Sequence, residues 1–223
     1  MIDHMPQYDT CGASGLNPEH LRFACRYNNK FIDFLVKGLN QLHVAKTIMP
    51  QHNLFKGRLM TIEQKKVNAA GQMKYRQIVV SEILLNMYHK ILKMKLCNDF
   101  TLHPNQLAMK PCGLLLGKYN VAEAIRCGLV ATTFDVQAAF PSVGHHKIVN
   151  AMNLNGISNV EQRYVMNQLR GLWANEFKTT QIGTKIGDSL SMILFCSVVN
   201  QLLEKNKQCK SQRNQIQVRN NVC

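Results

Sequence analysis

The spacing of apolar residues along the chain predicts amphipathic helices interrupted by a few short strands. Segments in which apolar side chains recur every three or four residues are predicted to be helical. These segments are residues 17–27, 31–45, 81–95, 121–125, 147–153, 158–172 and 188–203. Runs of β-branched and aromatic residues predict strands at 55–63, 75–80, 130–134 and 177–182, with a turn near 65–71 between the first two. The pattern therefore indicates an α+β fold.

Local signals indicate where several helices begin and end. Asn17 followed by Pro18 is typical of a helix start, and Ser158 with Glu161 three residues later forms a capping-box pattern. Ser81 is expected to cap the helix whose apolar face includes Tyr88 and Ile91. The residues after 204 turn polar and basic, and are expected to form a frayed tail.

Composition and charge indicate which kind of partner the chain is expected to bind. The chain has 46% hydrophobic residues and can bury a core, while 27 Lys and Arg against 13 Asp and Glu give a net charge of +14. Such an excess favours a polyanionic partner, with nucleic acid ahead of an anionic membrane. The alternative from charge alone is a generic basic helical protein.

Cysteine usage and apolar run lengths give further expectations. The eight cysteines are scattered without paired spacing, which argues against a zinc site and a disulfide framework. Neither a membrane span nor a signal peptide is expected, so an intracellular location, nuclear or cytoplasmic, is predicted. His145 and His146 are interpreted as surface residues at a helix start.

The stretch VATTFDVQAAFPSVGHH, residues 130–146, carries the most informative chemistry. The predicted strand delivers the carboxylate of Asp135 to its end, and a turn of small residues then presents Phe140. A carboxylate on a rigid support suits Mg²⁺, which prefers oxygen ligands. The other interpretation of this stretch alone is a strand followed by an Asp that caps a helix.

Four segments of the chain resemble, in the same order, the motifs of reverse transcriptases of non-LTR (LINE-type) retroelements. The stretch 130–146 resembles the first catalytic motif of that family, Asp-x-x-x-Ala-Phe-(Asp)-x-Val-x-His. Residues 74–78, Lys-Tyr-Arg-Gln-Ile, are similar to Tyr-Arg-Pro-Ile, and residues 106–113 are similar to Gln-x-Gly-Phe-Arg-x-Gly. Residues 183–195 resemble Gly-x-x-Gln-Gly-Asp-Pro-Leu-Ser-Pro-x-Leu-Phe. The resemblance covers about residues 10–204.

This resemblance implies part of a right-hand polymerase. Residues 1–128 would form an N-terminal segment and the fingers, residues 129–204 a partial palm, and residues 205–223 a basic tail. The implied activity is RNA-templated DNA synthesis by two-metal nucleotidyl transfer, with an RNA template, a DNA primer and dNTP as partners. The implied cofactor is Mg²⁺, two ions in a complete relative, with Mn²⁺ as a substitute. The oligomeric state is left open.

The resemblance also assigns roles to individual residues. Asp135 would be catalytic and a metal ligand, together with the backbone carbonyl of Val136. The side chains implied to bind the nucleotide are Lys74, Arg76, Lys110 and Phe140. The residues implied to contact template and primer are Gly183, Ile186, Gly187, Asp188 and Ser191.

The chain departs from the family pattern at two positions and lacks one motif. Ile186 replaces a glutamine, Pro141 replaces a second aspartate found in many relatives, and the third motif, aromatic-x-Asp-Asp, is absent because no two acidic residues are adjacent. We therefore expect the chain alone to be inactive as a polymerase. The alternative function is that of a non-catalytic, degenerate nucleic-acid-binding remnant.

Overall fold

The structure, a computed structural model, describes residues 11–45, 57–67, 71–170 and 182–220. Its helices are α1 (Pro18–Tyr27), α2 (Asn29–Val44), α3 (Ile83–Asp99), α4 (Gly113–Arg126), α5 (His145–Leu154), α6 (Asn159–Arg170) and α7 (Ser191–Asn220). Its strands are β1 (Arg58–Val67) and β2 (Met73–Val80), which pair as an antiparallel hairpin. Helices combined with a small sheet agree with the predicted α+β class.

Two of the three predicted helix starts are confirmed. The Asn17 side chain accepts a hydrogen bond from the backbone N–H of His20 at 2.9 Å, with Pro18 as the first helical residue of α1. At α6, Ser158 Oγ accepts from the backbone N–H of Glu161 at 3.3 Å, and Glu161 Oε2 accepts from the backbone N–H of Ser158 at 3.3 Å, which completes a capping box.

The prediction that Ser81 caps α3 is wrong. The helix begins at Ile83, and the flanking residue Glu82 makes no side-chain capping bond. The Glu82 carboxylate is used elsewhere, because it accepts hydrogen bonds from Ser14 N–H at 2.7 Å and from Ser14 Oγ at 2.6 Å. Ile91, assigned to the apolar face of α3, is 44% exposed.

The predicted strand at 130–134 is not formed. Residues 129–136 have no regular secondary structure, and the side chains of Val130 and Phe134 are 94% and 91% exposed. A single β-segment without a neighbour leaves its N–H and C=O groups unpaired, so β-propensity alone does not produce a strand. Most of the other predicted strand, 177–182, lies outside the described residues. Its last residue, Ile182, makes an isolated bridge with Gly144.

The main core lies among the helices that follow the hairpin. Helix α5 packs against α6 and α7, and α3 also contacts α7. The most deeply buried apolar side chains of this cluster are Leu96, Ile148, Ala151, Met152, Tyr164, Val165, Ile193 and Leu194. A smaller cluster of Leu21, Ile83 and Met87 holds α1 against the start of α3.

Two helices extend beyond their predicted ends. Helix α4 begins at Gly113 instead of near residue 121. Helix α7 continues to Asn220, where a frayed tail was predicted from about residue 205. No Gly or Pro occurs between residues 191 and 220, and the polar residues there include many good helix formers, so nothing ends the helix early. Within the described ranges, no helix combines the length and apolar composition that crossing a membrane requires.

Candidate functional site

Three segments that are distant in sequence meet around the loop 183–188. The backbone N–H of Gly183 donates to the carbonyl of Val143 at 2.7 Å, and that of Thr184 donates to Phe140 at 2.8 Å. On the other side, the N–H of Val79 at the end of β2 donates to the carbonyl of Ile186 at 2.9 Å. The loop is therefore fixed by its backbone between the turn 137–143 and the hairpin.

Two positions in this loop require glycine. Gly183 and Gly187 have φ angles of +92° and +104°, which residues with a side chain rarely adopt. A Cβ atom at Gly183 would lie 2.8 Å from the carbonyl oxygen of Pro141, and one at Gly187 would lie 2.7 Å from that of Val79. Glycine thus allows both close backbone approaches that hold the loop in place.

Asp188, at the end of the loop, points into the protein. Its side chain is 7% exposed, and its carboxylate oxygens lie 2.8 and 2.9 Å from Nδ1 of His89 on α3. The backbone N–H of Leu190 donates to the same carboxylate at 2.8 Å. Burial raises the pKa of Asp188, but the charge and hydrogen bond of His89, with Leu190 N–H and Lys185, lower it below its usual value. The group is therefore an ionised carboxylate at neutral pH.

The chain of hydrogen bonds continues from His89 to α6. Nε2 of His89 lies 2.9 Å from the hydroxyl of Tyr164, and both side chains are almost fully buried. The Asp188 carboxylate only accepts hydrogen bonds, so the Nδ1–H of His89 donates to it, and Nε2 shares a second hydrogen bond with the tyrosine hydroxyl. Asp188, His89 and Tyr164 thus connect the loop to α3 and α6, and we call these three residues the Asp188 relay.

Further buried side chains fix the loop from within. Ser191 Oγ donates to the carbonyl of Lys185 at 2.6 Å, and the Lys185 side chain is itself buried. Burial lowers the pKa of Lys185, and the negative charge of Asp188 opposes this only in part. These contacts turn Ser191 and Asp188 toward the protein, so their predicted contact with template and primer remains a prediction.

His145 also holds the loop, and its assignment to the surface is wrong. The side chain is 4% exposed, and Nε2 lies 2.9 Å from the carbonyl oxygen of Gly183. Burial lowers the pKa of His145, the bond to Gly183 opposes this, and the nearby Arg170 adds to the lowering. His145 therefore acts as a neutral donor to the loop.

The predicted metal ligands Asp135 and Val136 lie in the exposed segment 129–136. The Asp135 side chain makes no hydrogen bond or ion pair with any residue of the described part of the chain. Among the described residues, no three His, Cys, Asp or Glu side chains are grouped so that they could hold a metal ion. A pair of Mg²⁺ ions needs bridging carboxylates, so these residues do not by themselves fit such a centre.

The predicted nucleotide-binding residues lie on three separate elements. Phe140 is half-buried and packs against Phe195 of α7, with 5.3 Å between the ring centroids and the ring planes inclined by 54°. Lys74 and Arg76 are exposed on β2. Lys110 is folded back onto its own loop, where Nζ donates to the carbonyl of Pro104 at 2.5 Å. Backbone contacts join Phe140 and the end of β2 to the loop, whereas no described hydrogen bond joins Lys110 to it.

Three residues of this site, His89, Tyr164 and His145, were not predicted from the sequence. A signal for His89 was present: Leu85, His89, Leu92 and Leu96 are spaced by four, three and four residues and all four are buried. A histidine within such a stripe needs a polar partner, because a buried polar group is costly without a hydrogen bond. Its partner, 99 residues away in the chain, is given only by the fold.

Comparison with known proteins identifies the family of the chain. A search of curated proteins found no match. The model of the family described as reverse transcriptase (RNA-dependent DNA polymerase) matches residues 62–219, well over half of the chain. The match includes β2, the turn 137–143, the loop 183–188 and nearly all of α7. The chain therefore belongs to the reverse transcriptase family.

Proposed function

We propose that this chain supplies the fingers (1–128) and the first part of the palm (129–204) of a non-LTR retrotransposon reverse transcriptase. In this role it binds an RNA template, a DNA primer and dNTP inside the cell, in the nucleus or cytoplasm. The observation that carries the proposal is the loop 183–188, fixed by its backbone between the turn that follows Asp135 and the basic strand β2.

Each of these three segments suits one part of the substrate. The exposed cations Lys74 and Arg76 can form charge-assisted hydrogen bonds to phosphate oxygens. The loop exposes backbone without a side chain at Gly187, which lets a nucleic-acid strand approach closely. Phe140 offers an apolar ring edge beside the loop, suited to the sugar of a deoxynucleotide and unable to hydrogen-bond a 2′-hydroxyl.

Metal binding requires more than the described residues provide. We propose that Asp135 and the carbonyl of Val136 supply oxygen ligands, and that a further carboxylate comes from outside these 223 residues. Mg²⁺ would supply charge neutralisation at the reacting phosphate when bound. The chain's own contribution is to hold the strand, the turn and the loop in a fixed relation.

A non-catalytic role as a nucleic-acid-binding remnant is the second candidate. It is favoured by the isolation of Asp135 in the described structure and by the lack of adjacent acidic residues in the sequence. Both candidates bind nucleic acid, and they differ in whether an added carboxylate restores synthesis.

Primer extension on an RNA template, with Mg²⁺ or Mn²⁺, tests the catalytic assignment. We expect no extension by the purified chain. Extension that Asp135→Asn abolishes would show that a second carboxylate exists within these residues and would contradict the proposal. Extension restored by fusing an aromatic-x-Asp-Asp segment, and lost again in Asp135→Asn, would decide against the remnant.

Binding of an RNA–DNA hybrid tests the nucleic-acid assignment. The logarithm of the affinity should fall linearly with the logarithm of salt concentration, because phosphate contacts release counterions. Lys74→Gln with Arg76→Gln should make this slope shallower. Lys147→Gln, which changes another exposed lysine, on α5, is the control and should change the slope less. Affinity that is independent of salt would contradict nucleic-acid binding.

A further inference from the structure

Helix α1 presents two aromatic side chains to solvent, one helical turn apart. Phe23 and Tyr27 are 65% and 75% exposed, and their ring centroids lie 4.6 Å apart with planes inclined by 42°. Side chains of this size normally gain stability from burial, which neither ring obtains here. Helix α1 also precedes the residues that match the polymerase family, so that match assigns these rings no role.

The opposite side of α1 is firmly anchored. Leu21 is 1% exposed and packs with Ile83 and Met87 of α3. The capping box at Asn17 and His20 fixes the first turn of the helix. The aromatic pair is therefore carried by a rigid element, which lowers the conformational cost of binding a ligand.

Cationic side chains border the aromatic pair. Arg26 is exposed on α1, Arg22 lies one turn before it, and Lys30 is exposed in the first turn of α2. The single acidic residue of α1 is Glu19. An apolar platform with a positive border complements a ligand that carries planar rings on a polyanionic backbone.

We propose that Phe23 and Tyr27 form a stacking platform for the bases of a single-stranded nucleic acid, with Arg26 and Lys30 binding its phosphates. Every base has a π-face, so stacking on these rings tolerates any sequence. The guanidinium and ammonium groups hold the backbone through charge-assisted hydrogen bonds. This surface does not involve the loop 183–188, so it can bind whether or not the polymerase assignment holds.

Fluorescence anisotropy of a labelled oligouridylate of about 12 nucleotides tests the platform. The double variant Phe23→Ala and Tyr27→Ala should bind about tenfold more weakly at fixed salt, because base stacking is lost. Its salt slope should equal that of the wild type. Arg26→Gln should instead reduce the slope by about 0.7, the share of one phosphate on a single strand.

Phe34→Ala is the matched control, since Phe34 is 70% exposed on the neighbouring helix α2 but belongs to no described aromatic pair. It should leave oligouridylate affinity unchanged. Circular dichroism should show native helix content in each variant, because alanine is a good helix former. Binding by the double variant within twofold of the wild type would overturn the proposal.

Two further outcomes distinguish a base-stacking platform from the polymerase site and from an interface between protein copies. Loss of RNA–DNA hybrid binding in the Lys74 and Arg76 variants, with oligouridylate binding retained, would show that the platform is independent of the polymerase site. If the wild type self-associates in sedimentation and the double variant does not, with no change in oligouridylate affinity, the face is an interface between copies and the proposal is wrong.

Discussion

Replacing Asp188 by asparagine tests the physical role of the Asp188 relay. The substitution keeps the size of the side chain but removes a buried negative charge that faces His89 at 2.8 Å. A hydrogen bond to a charged group typically contributes about 1.5–3 kcal/mol, and the neutral amide of asparagine would be a weaker acceptor for the buried His89 ring. Since domains of this kind are stable by about 5–15 kcal/mol, Asp188→Asn should lose a large fraction of the free energy of unfolding.

Urea unfolding followed by circular dichroism measures this loss. The matched control is Glu123→Gln, which breaks the exposed pair with Arg126 at 2.8 Å and should cost no more than about 0.5 kcal/mol. A double-mutant cycle with His89→Asn isolates the interaction between the two side chains. A loss for Asp188→Asn no larger than that of the control would contradict a stabilising role for the buried pair.

The pH dependence of unfolding gives a second, independent test of the relay. Because the pKa of Asp188 is lowered in the folded protein, its stabilising contribution is present above the unfolded pKa of about 3.9. The contribution is lost as pH falls through the lower folded pKa. The difference between the wild type and Asp188→Asn should therefore stay constant from neutral pH to about pH 5 and shrink below about pH 4. A difference that persists into strong acid would contradict an ionised carboxylate.

Three further features lead to measurable expectations: the contact of Gly187 with β2, the Tyr88 hydroxyl and the exposed segment 129–136. Gly187→Ala should weaken binding of an RNA–DNA hybrid, because its Cβ would lie 2.7 Å from the Val79 carbonyl oxygen. Gly38→Ala is the control: a Cβ at Gly38 has open space around it, so hybrid binding should not change. Burial raises the pKa of Tyr88 to about 12. The contribution of the protonated hydroxyl to the free energy of unfolding should therefore be full below pH 10 and fall between about pH 10 and 12. Absorbance titration of the wild type against Tyr88→Phe checks the raised pKa. The isolated chain should bind ANS through the apolar segment 129–136, and Phe134→Ser should reduce the signal, whereas an unchanged signal would place the dye elsewhere.

The sequence predicted those parts of the fold that depend on local interactions. The caps at Asn17 and Ser158 and the hairpin of β1 and β2 follow from residues within a few positions of each other, and all are present. The end of α7 was missed because the change from apolar to polar residues marks loss of burial and not the end of a helix. Residues 130–134 were predicted as a strand from composition, but a strand also requires a neighbour to pair with.

The candidate site was predictable in its motifs but not in the direction of its side chains. The loop 183–188 was identified from its glycines and their spacing, and it does adjoin β2 and the turn at Phe140. Whether Asp188 faces substrate or the core depends on His89, which is distant in sequence, so no local pattern could decide it. The same holds for His145, whose burial arises when Gly183 packs onto the start of α5.

The hydrogen bond between Val79 and Ile186 connects the hairpin of β1 and β2 directly to the loop 183–188. Strand β2 spans residues 73–80, about 25 Å at the usual rise of a strand. Its end at Val79 contacts the loop, and Lys74 lies near its other end. A Cβ atom at Gly187 would lie 2.7 Å from the Val79 carbonyl oxygen, so the close approach of β2 to the loop depends on glycine at this position. A phosphate bound near Lys74 and a nucleic-acid strand bound at the loop would therefore contact two ends of one β-strand. If binding at one end changes the affinity at the other, the change in free energy is the same in both directions.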